Sequence, residues 1–462
     1  MIAHPRVYSE QLDPADVDTI IGGALRILAG TGMLIECDEA VACLLEAGCS
    51  RSETGRIRFP EQLCRQSIER APARWTLHAR EPGYSCDVGG PATLLSPGYG
   101  SAFVADERGR RRSATMADFR HFARMAADAE LIDITGGLLV EPADVDPAAR
   151  PVELTRALIE TSGKPFFGSV AGGEGAAQSL RMAAEVLPEI NAQPYVLGLI
   201  NINSPLRLDA RMAEAMLVYV RAGQPIVLTP GILMGITAPA TVGGAMVQAF
   251  AEMIGGVTLA QVLEPGAPLI IGTGGFGADL RVGGSGFGKP EQALSALLCG
   301  QIARRLAIPC RCSPAVTGAF APDARAGYES MMTALCGWQA GAHLCMQSAG
   351  ILDFINAMSY EKFAIDLEIW GYIRRIATPP TTDADALALD VIAAAPHNYM
   401  AETHTLAHFR QETYSPTLAP PLTYEDWVEA GMPDVAEHAR VLMHKNQLPQ
   451  TVEPKEQTDG NP

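Results

Sequence analysis

The sequence predicts an α/β protein built on a parallel sheet, either open or closed into a barrel. Three observations point there. Five short apolar runs each open with a proline: Pro165-Phe-Phe-Gly-Ser-Val, Pro194-Tyr-Val-Leu-Gly-Leu-Ile, Pro225-Ile-Val-Leu-Thr, Pro268-Leu-Ile-Ile-Gly-Thr and Pro309-Cys-Arg-Cys-Ser. The prolines lie 29, 31, 43 and 41 residues apart, room for one helix plus short connections. The runs are continuously apolar, as suits strands covered on both faces. Proline is tolerated at a strand's first residue because no ladder donor is needed there. Chemistry is then expected at the C-terminal ends of the strands.

Residues 1–130 read as a mixed α/β elaboration. Val104-Ala-Asp-Glu-Arg-Gly-Arg-Arg-Arg is a hairpin or turn with a basic edge. Thr115-Met-Ala-Asp118 reads as a helix cap, followed by Phe119, Phe122 and Ala126 on one face. The repeating core spans 131–384 and opens with a strand at Ile134-Thr-Gly-Gly-Leu-Leu-Val140. A helix from Asp209 aligns Met212, Met216 and Val220 and stops at Gly223. Another starts at Pro290 and lines up Leu294, Leu298, Ile302 and Leu306, with Arg304 and Arg305 in its last turn. A helix from Asp323 carries Tyr328, Met331, Met332 and Leu335 and ends at Gly341. His343-Leu-Cys-Met-Gln-Ser348 reads as a late strand. Residues 385–444 form a helical segment, and 445–462 a polar, disordered tail.

Composition narrows the function. The 462 residues are 48% hydrophobic, enough for a large core. A net charge of −17 argues against nucleic acid as a partner. None of the ten cysteines forms a C-x-x-C pair, which points to a reducing cytoplasm without a disulfide framework. The N-terminus lacks a signal-peptide core. Residues 222–251 are uncharged, but Pro225, Pro230, Pro239 and five glycines argue against a membrane span.

Gly272-Thr-Gly274-Gly-Phe-Gly277 matches the dinucleotide fingerprint literally, yet a second glycine-rich stretch, Gly283-Gly-Ser-Gly-Phe-Gly288, separates it from the next helix. The fingerprint needs a helix N-terminus to hold pyrophosphate. A loop at the sheet's mouth is the better reading. His404 and His408 have the i,i+4 spacing of zinc sites, with Glu402 and Glu412 nearby, but no H-E-x-x-H form. Packing is preferred and no metal is expected. No nucleophile elbow or P-loop appears.

Several stretches together carry a family resemblance. They are Ser96-Pro-Gly-Tyr-Gly-Ser-Ala-Phe-Val-Ala-Asp, Thr237-Ala-Pro-Ala-Thr-Val-Gly-Gly, Ala251-Glu, Gln261-Val-Leu-Glu-Pro-Gly-Ala-Pro268 and Lys289-Pro-Glu-Gln. Pro322-Asp-Ala-Arg-Ala-Gly-Tyr-Glu329, Ala349-Gly-Ile-Leu-Asp, Ser359-Tyr-Glu-Lys362 and His404-Thr continue the series. In this order and spacing, over about 400 residues, the chain resembles the trimethylamine methyltransferase (MttB-like) superfamily. The resemblance implies a TIM-type (β/α)8 barrel with an N-terminal α/β elaboration and a C-terminal helical extension. It implies methyl transfer from a methylated amine to a corrinoid (cobalamin) on a separate corrinoid-binding protein, with no cofactor held tightly by this chain. The sequence is written in ordinary residues, so it looks like the non-pyrrolysine branch, similar to glycine betaine and related quaternary amine methyltransferases. A quaternary nitrogen is already a leaving group. The enzyme need only orient the N–CH₃ bond and exclude water.

Site candidates follow from that expectation. A trimethylammonium head is held by aromatic faces, and Tyr99, Phe103, Phe276, Phe320 and Phe354 lie near expected strand ends. Each also has the plainer reading of a core aromatic. A carboxylate would want a cation. Arg325 is the candidate, where family members commonly have glutamine, with a surface ion pair as the alternative. Alternation puts His343, Cys345 and Gln347 on one strand face and Leu344 and Met346 on the other. Gln347 and Asp323 are assigned catalytic roles, and Glu329 and His343 substrate contacts. Helix capping, packing and a satisfied core histidine are the bland alternatives.

The expected protein is thus a cytoplasmic, homo-oligomeric enzyme that demethylates a betaine-like quaternary amine for a corrinoid protein. It touches neither nucleic acid nor membrane. Three rivals stand: direct transfer to tetrahydrofolate, a non-catalytic betaine-binding protein, and an NAD-dependent enzyme resting on the glycine match.

Overall fold

The computed structural model describes residues 1–187, 189–190, 192–281 and 284–444. The expected disordered tail at 445–462 lies outside the described residues, as does Gly283 of the second glycine stretch.

The architecture is α/β with substantial helical content. Seven parallel strands lie edge to edge: Ala92–Leu95, Phe166–Phe167, Val196–Ile202, Ile226–Pro230, Leu269–Ile271, Arg311–Cys312 and Leu344–Cys345. Phe166 pairs with Val196, Gly198 with Ile226, Ile226 with Leu269, Arg311 with Leu344, and Leu344 with Leu94. Ile271 bridges Cys310. An eighth segment, 133–136, spans the remaining gap. The Ile134 N–H donates to the Leu95 carbonyl at 3.1 Å, Thr135 to Pro165 at 2.9 Å, and Phe167 to Gly136 at 2.7 Å. Backbone hydrogen bonds therefore run through eight parallel segments and return to the first. The strand expected over 134–140 is cut short because Gly136 turns to φ 113°.

The prolines sit where the spacing puts them, one or two residues before each strand. Their carbonyls serve the ladder: Pro165, Pro225, Pro268 and Pro309 each accept from a neighbouring segment. Helices Met116–Asp128, Arg150–Thr161, Gly172–Ala184, Ala210–Arg221, Val242–Leu263, Pro290–Arg305, Ala324–Gln339 and Tyr360–Ala377 follow the eight segments in turn. Thr115 and Asp118 form a capping box, and Asp209 caps the helix that follows it. Val242–Leu263 is apolar and long enough to cross a bilayer, yet it is mostly buried inside the protein.

Side chains alternate between two cores. Leu94, Ile134, Phe167, Leu197, Leu199, Val227, Ile270, Leu344 and Met346 share the inner one. Leu95, Ile200, Leu228, Ile271, Cys312 and Cys345 pack outward with the helices. At the strands' N-terminal end, the hairpin Trp75–Leu77/Cys86–Val88 adds Leu77, Cys86 and Val88 to the inner core. At the opposite end a small sheet joins Phe103–Ala105 and Arg111–Ser113, the expected hairpin, to Ile351–Leu352 and Ala357–Met358.

One helix buries a largely polar face. Tyr328 of Ala324–Gln339 is exposed, and Met331, Met332 and Leu335 are only half-buried. The buried residues are Ala326, Glu329, Ser330, Thr333, Ala334, Gly337 and Trp338. Polar bonds decide this. Glu329, Ser330 and Thr333 all bond the backbone or side chains of residues 315–318.

Candidate active site

The C-terminal ends of the parallel strands converge on one region, and Asn201 there is exposed to solvent. Tyr99 and Phe167 meet edge to face with centroids 6.0 Å apart. A Cβ at Gly137 would come within 2.6 Å of Phe167 and 2.9 Å of Tyr99, so glycine there is what lets both rings in. Burial pushes the Tyr99 phenol up to about 12, and the ring stays neutral.

Gln347 ends the strand Leu344–Cys345 with φ 60°, a left-handed backbone that breaks the alternation. Leu344 and Met346 face the inner core, and Cys345 points outward beside Cys312, their sulfurs 3.5 Å apart beneath Gly337. The Gln347 Oε1 is buried without a hydrogen-bond partner.

Arg311, in the middle of an apolar run, is 3% exposed. Its Nη1 donates to Thr229 Oγ1 at 2.9 Å and its Nη2 to Ser313 Oγ at 2.8 Å. Its Nε has no partner. Gly272 and Gly274 line the path of this side chain. A Cβ at Gly272 would lie 2.9 Å from Arg311 Cγ, and one at Gly274 3.8 Å from Nη1. The glycine-rich match thus makes room for a guanidinium. The next helix begins only at Pro290, so no helix N-terminus is placed to hold a pyrophosphate.

The other expected residues divide among several places. Phe103, Phe320 and Phe354 come together above the strand ends. Phe320 and Phe354 meet edge to face at 6.2 Å, and the Arg111 guanidinium lies 4.6 Å over Phe103 while also pairing with Asp353. Asp353, Phe354 and Ile355 are all left-handed, at φ 50°, 54° and 81°. Phe320 is 59% exposed. Phe276 is buried in the outer core, and no surface of it is free for a ligand.

Arg325 is not a free cation. Its Nε donates to Glu329 at 2.8 Å, and Glu329 also accepts from Thr317 at 2.5 Å and the Gly318 N–H at 2.9 Å. Both residues hold the loop after Arg311–Cys312. Asp323 is an exposed helix cap whose carboxylate accepts from the Ala326 N–H at 3.0 Å, the capping role of the plainer reading. His343 lies at the opposite, N-terminal end of its strand. Its Nδ1 accepts from the Cys310 N–H at 3.1 Å, and its ring meets His4 at 5.1 Å. Burial, with His4 and Arg304 nearby, lowers it to about 4. It is the satisfied histidine of the plainer reading, because it precedes the strand and Gln347 follows it.

His404 and His408 do stack, 4.3 Å apart, and both bond Asp385, but on the exposed C-terminal segment. Sequence reasoning passed over Arg311, Thr229, Ser313 and Phe167. The available signal was the arginine inside Pro309-Cys-Arg-Cys-Ser, a charge where a doubly covered strand has no ordinary use for one.

Similarity to known proteins covers nearly the whole chain. The family model for trimethylamine methyltransferase (MTTB) matches residues 1–459. A glycine betaine methyltransferase of Desulfitobacterium hafniense is 33% identical over 418 residues, 89% of this chain and 87% of that one. A proline betaine:corrinoid methyltransferase of Eubacterium limosum is 26% identical, covering 81% of this chain and 79% of its own. The monomethylamine methyltransferase (MtmB) crystal structure from Methanosarcina barkeri superposes with a TM-score of 0.54 at 12% identity, covering 95% of this chain and 89% of that one, a likeness of fold. On this evidence the chain belongs to the trimethylamine methyltransferase (MTTB) family.

Proposed function

We propose that this chain moves a methyl group from a betaine-type quaternary amine to the cobalt of a corrinoid protein. One observation carries the reading: 33% identity to a glycine betaine methyltransferase along 89% of the chain. We further infer that the eight parallel segments and their helices form a TIM-type (β/α)8 barrel. Ala92–Leu95 would then be its first strand, with the rest of 1–130 an elaboration and 385–444 an added helical segment.

The partner's corrinoid, when bound, supplies the electron pair that takes the methyl carbon. The residues present fit an external nucleophile. Cys312 and Cys345 are turned outward beneath a helix, and the contact with Cys345, together with burial, holds the Cys312 thiol well above its ordinary value. What remains for the protein is to bind, orient and dry the substrate. Half-buried Tyr99 offers a neutral aromatic face at the strand ends for a cationic head, worth about 0.5–2 kcal/mol, and the buried Phe167 ring fixes its orientation edge to face. The inner core beneath them leaves little room for water. Gln347 brings an amide to the same end of the strands, where it can fix the donor's orientation. The same reading places the chain in the reducing cytoplasm, where its free cysteines stay thiols, and treats it as a homo-oligomer.

The test mixes purified chain, glycine betaine and either free cob(I)alamin or tetrahydrofolate. Methylcobalamin absorbance with loss of one betaine methyl is expected. Methyltetrahydrofolate without the corrinoid would move the acceptor to the folate. Betaine affinity with no methyl loss to either acceptor would leave a binding protein in place of an enzyme.

A further inference from the structure

Arg311 is a charge with no counter-charge. It is buried between apolar layers, and among the described residues no carboxylate bonds it. The ionisable groups around it are the thiols of Cys299, Cys310, Cys312 and Cys345. A buried guanidinium costs several kcal/mol unless it is paired, and two hydroxyls, Thr229 and Ser313, satisfy only part of its fork. Its Nε–H is buried and unused. The strand between Arg311 and Thr229 carries glycine at 272 and 274, so the guanidinium lies across it with nothing overhead from that strand. The open end of the strands, marked by exposed Asn201, is the same end. A planar fork with a free edge, held by hydroxyls and not by acids, suits a carboxylate, which it can grip by two parallel bonds.

We propose that Arg311 binds the carboxylate of the substrate, with Thr229 and Ser313 holding its guanidinium in place. The enzyme's substrates are then zwitterions, methylammonium carboxylates and not simple methylamines. Tyr99, backed by the buried Phe167 ring, takes the positive end and Arg311 the negative one. This rests on the betaine reading above and deepens it. The arginine chosen from sequence, Arg325, is already engaged by Glu329; Arg311 carries no such partner.

Binding measured by calorimetry needs no methyl acceptor and separates the two ideas. On the unaltered protein, glycine betaine should bind at least tenfold more tightly than tetramethylammonium or choline, which share the head but lack the carboxylate. Arg311→Gln and Arg311→Lys should each lose at least tenfold in betaine affinity and leave tetramethylammonium within twofold. Equal affinity of the unaltered protein for betaine and choline overturns the assignment without any variant, so a misfolded Arg311→Gln cannot shelter it. Betaine binding undiminished in folded Arg311→Lys and Arg311→Gln overturns it while leaving the betaine reading intact. Acetate binding as tightly as betaine makes this a general anion site and also overturns it. A protein that binds no quaternary ammonium at all ends both the inference and the reading beneath it.

Discussion

Gly272 lies against Arg311 so closely that an added Cβ would meet the Arg311 carbonyl oxygen at 2.1 Å. Two adjacent strands touch there through bare backbone, and the arginine side chain leaves over the glycine.

Gly272→Ala should therefore destabilise the fold by about 1–3 kcal/mol, the usual range for overpacking. Gly274→Ala, with its nearest atom at 3.8 Å, should cost far less. Urea midpoints of the two variants check this, and similar midpoints would refute the close approach.

Gln347→Ala should lower betaine turnover at least tenfold, because its amide follows the strand at the same end as the aromatic pair. The alanine variant should keep its melting temperature within a few degrees, since the amide oxygen bonds nothing in the protein. Wild-type rates would remove Gln347 from the site.

Asp118 sets an acid limit on stability. Burial alone would raise its carboxyl, but bonds from Arg112, Tyr360 and Thr115 hold it well below the usual carboxylate range. A depressed folded value stabilises above the unfolded value of about 4 and is lost as pH falls. Melting temperature should drop from pH 5 to pH 3, with a shallower slope in Asp118→Asn.

His343 acts in the same direction over a different window. Held neutral to about 4, it resists the proton that the unfolded chain binds below about 6.5. Stability should decline as pH falls from 6.5 to 4. His343→Asn should flatten that decline and leave betaine turnover unchanged, since the residue sits at the far end of its strand.

Lys362 and Asp366 form a fully buried pair that also bonds Ser330 and the Gly350 N–H. Lys362→Met strands the carboxylate and should cost about 3–5 kcal/mol, whereas Lys362→Met with Asp366→Leu should recover much of it. Denaturant unfolding of both variants decides the point.

The fold was legible because periodic prolines and apolar runs report burial on both faces, which is a property of the backbone path. Ala92–Leu95 escaped because its run is broken by Thr93 and followed by Ser96-Pro97, which read as loop. The site was less legible, since residue type says what a side chain can do and nothing of what already occupies it. Arg325 and Asp323 carry the right chemistry and are engaged by Glu329 and the Ala326 N–H. Arg311 is the reverse, a cation concealed in a strand, and the glycines 37 to 39 positions earlier that make room for it read only as a loop at the sheet's mouth.

Glu329 grips Thr317 and Gly318 from the second turn of a helix whose start Asp323 secures. The rim on that side of the mouth is therefore finished before any guest arrives. A visiting molecule meets a fixed wall there, and the disorder that a floppy rim would surrender on association was already given up when the chain folded.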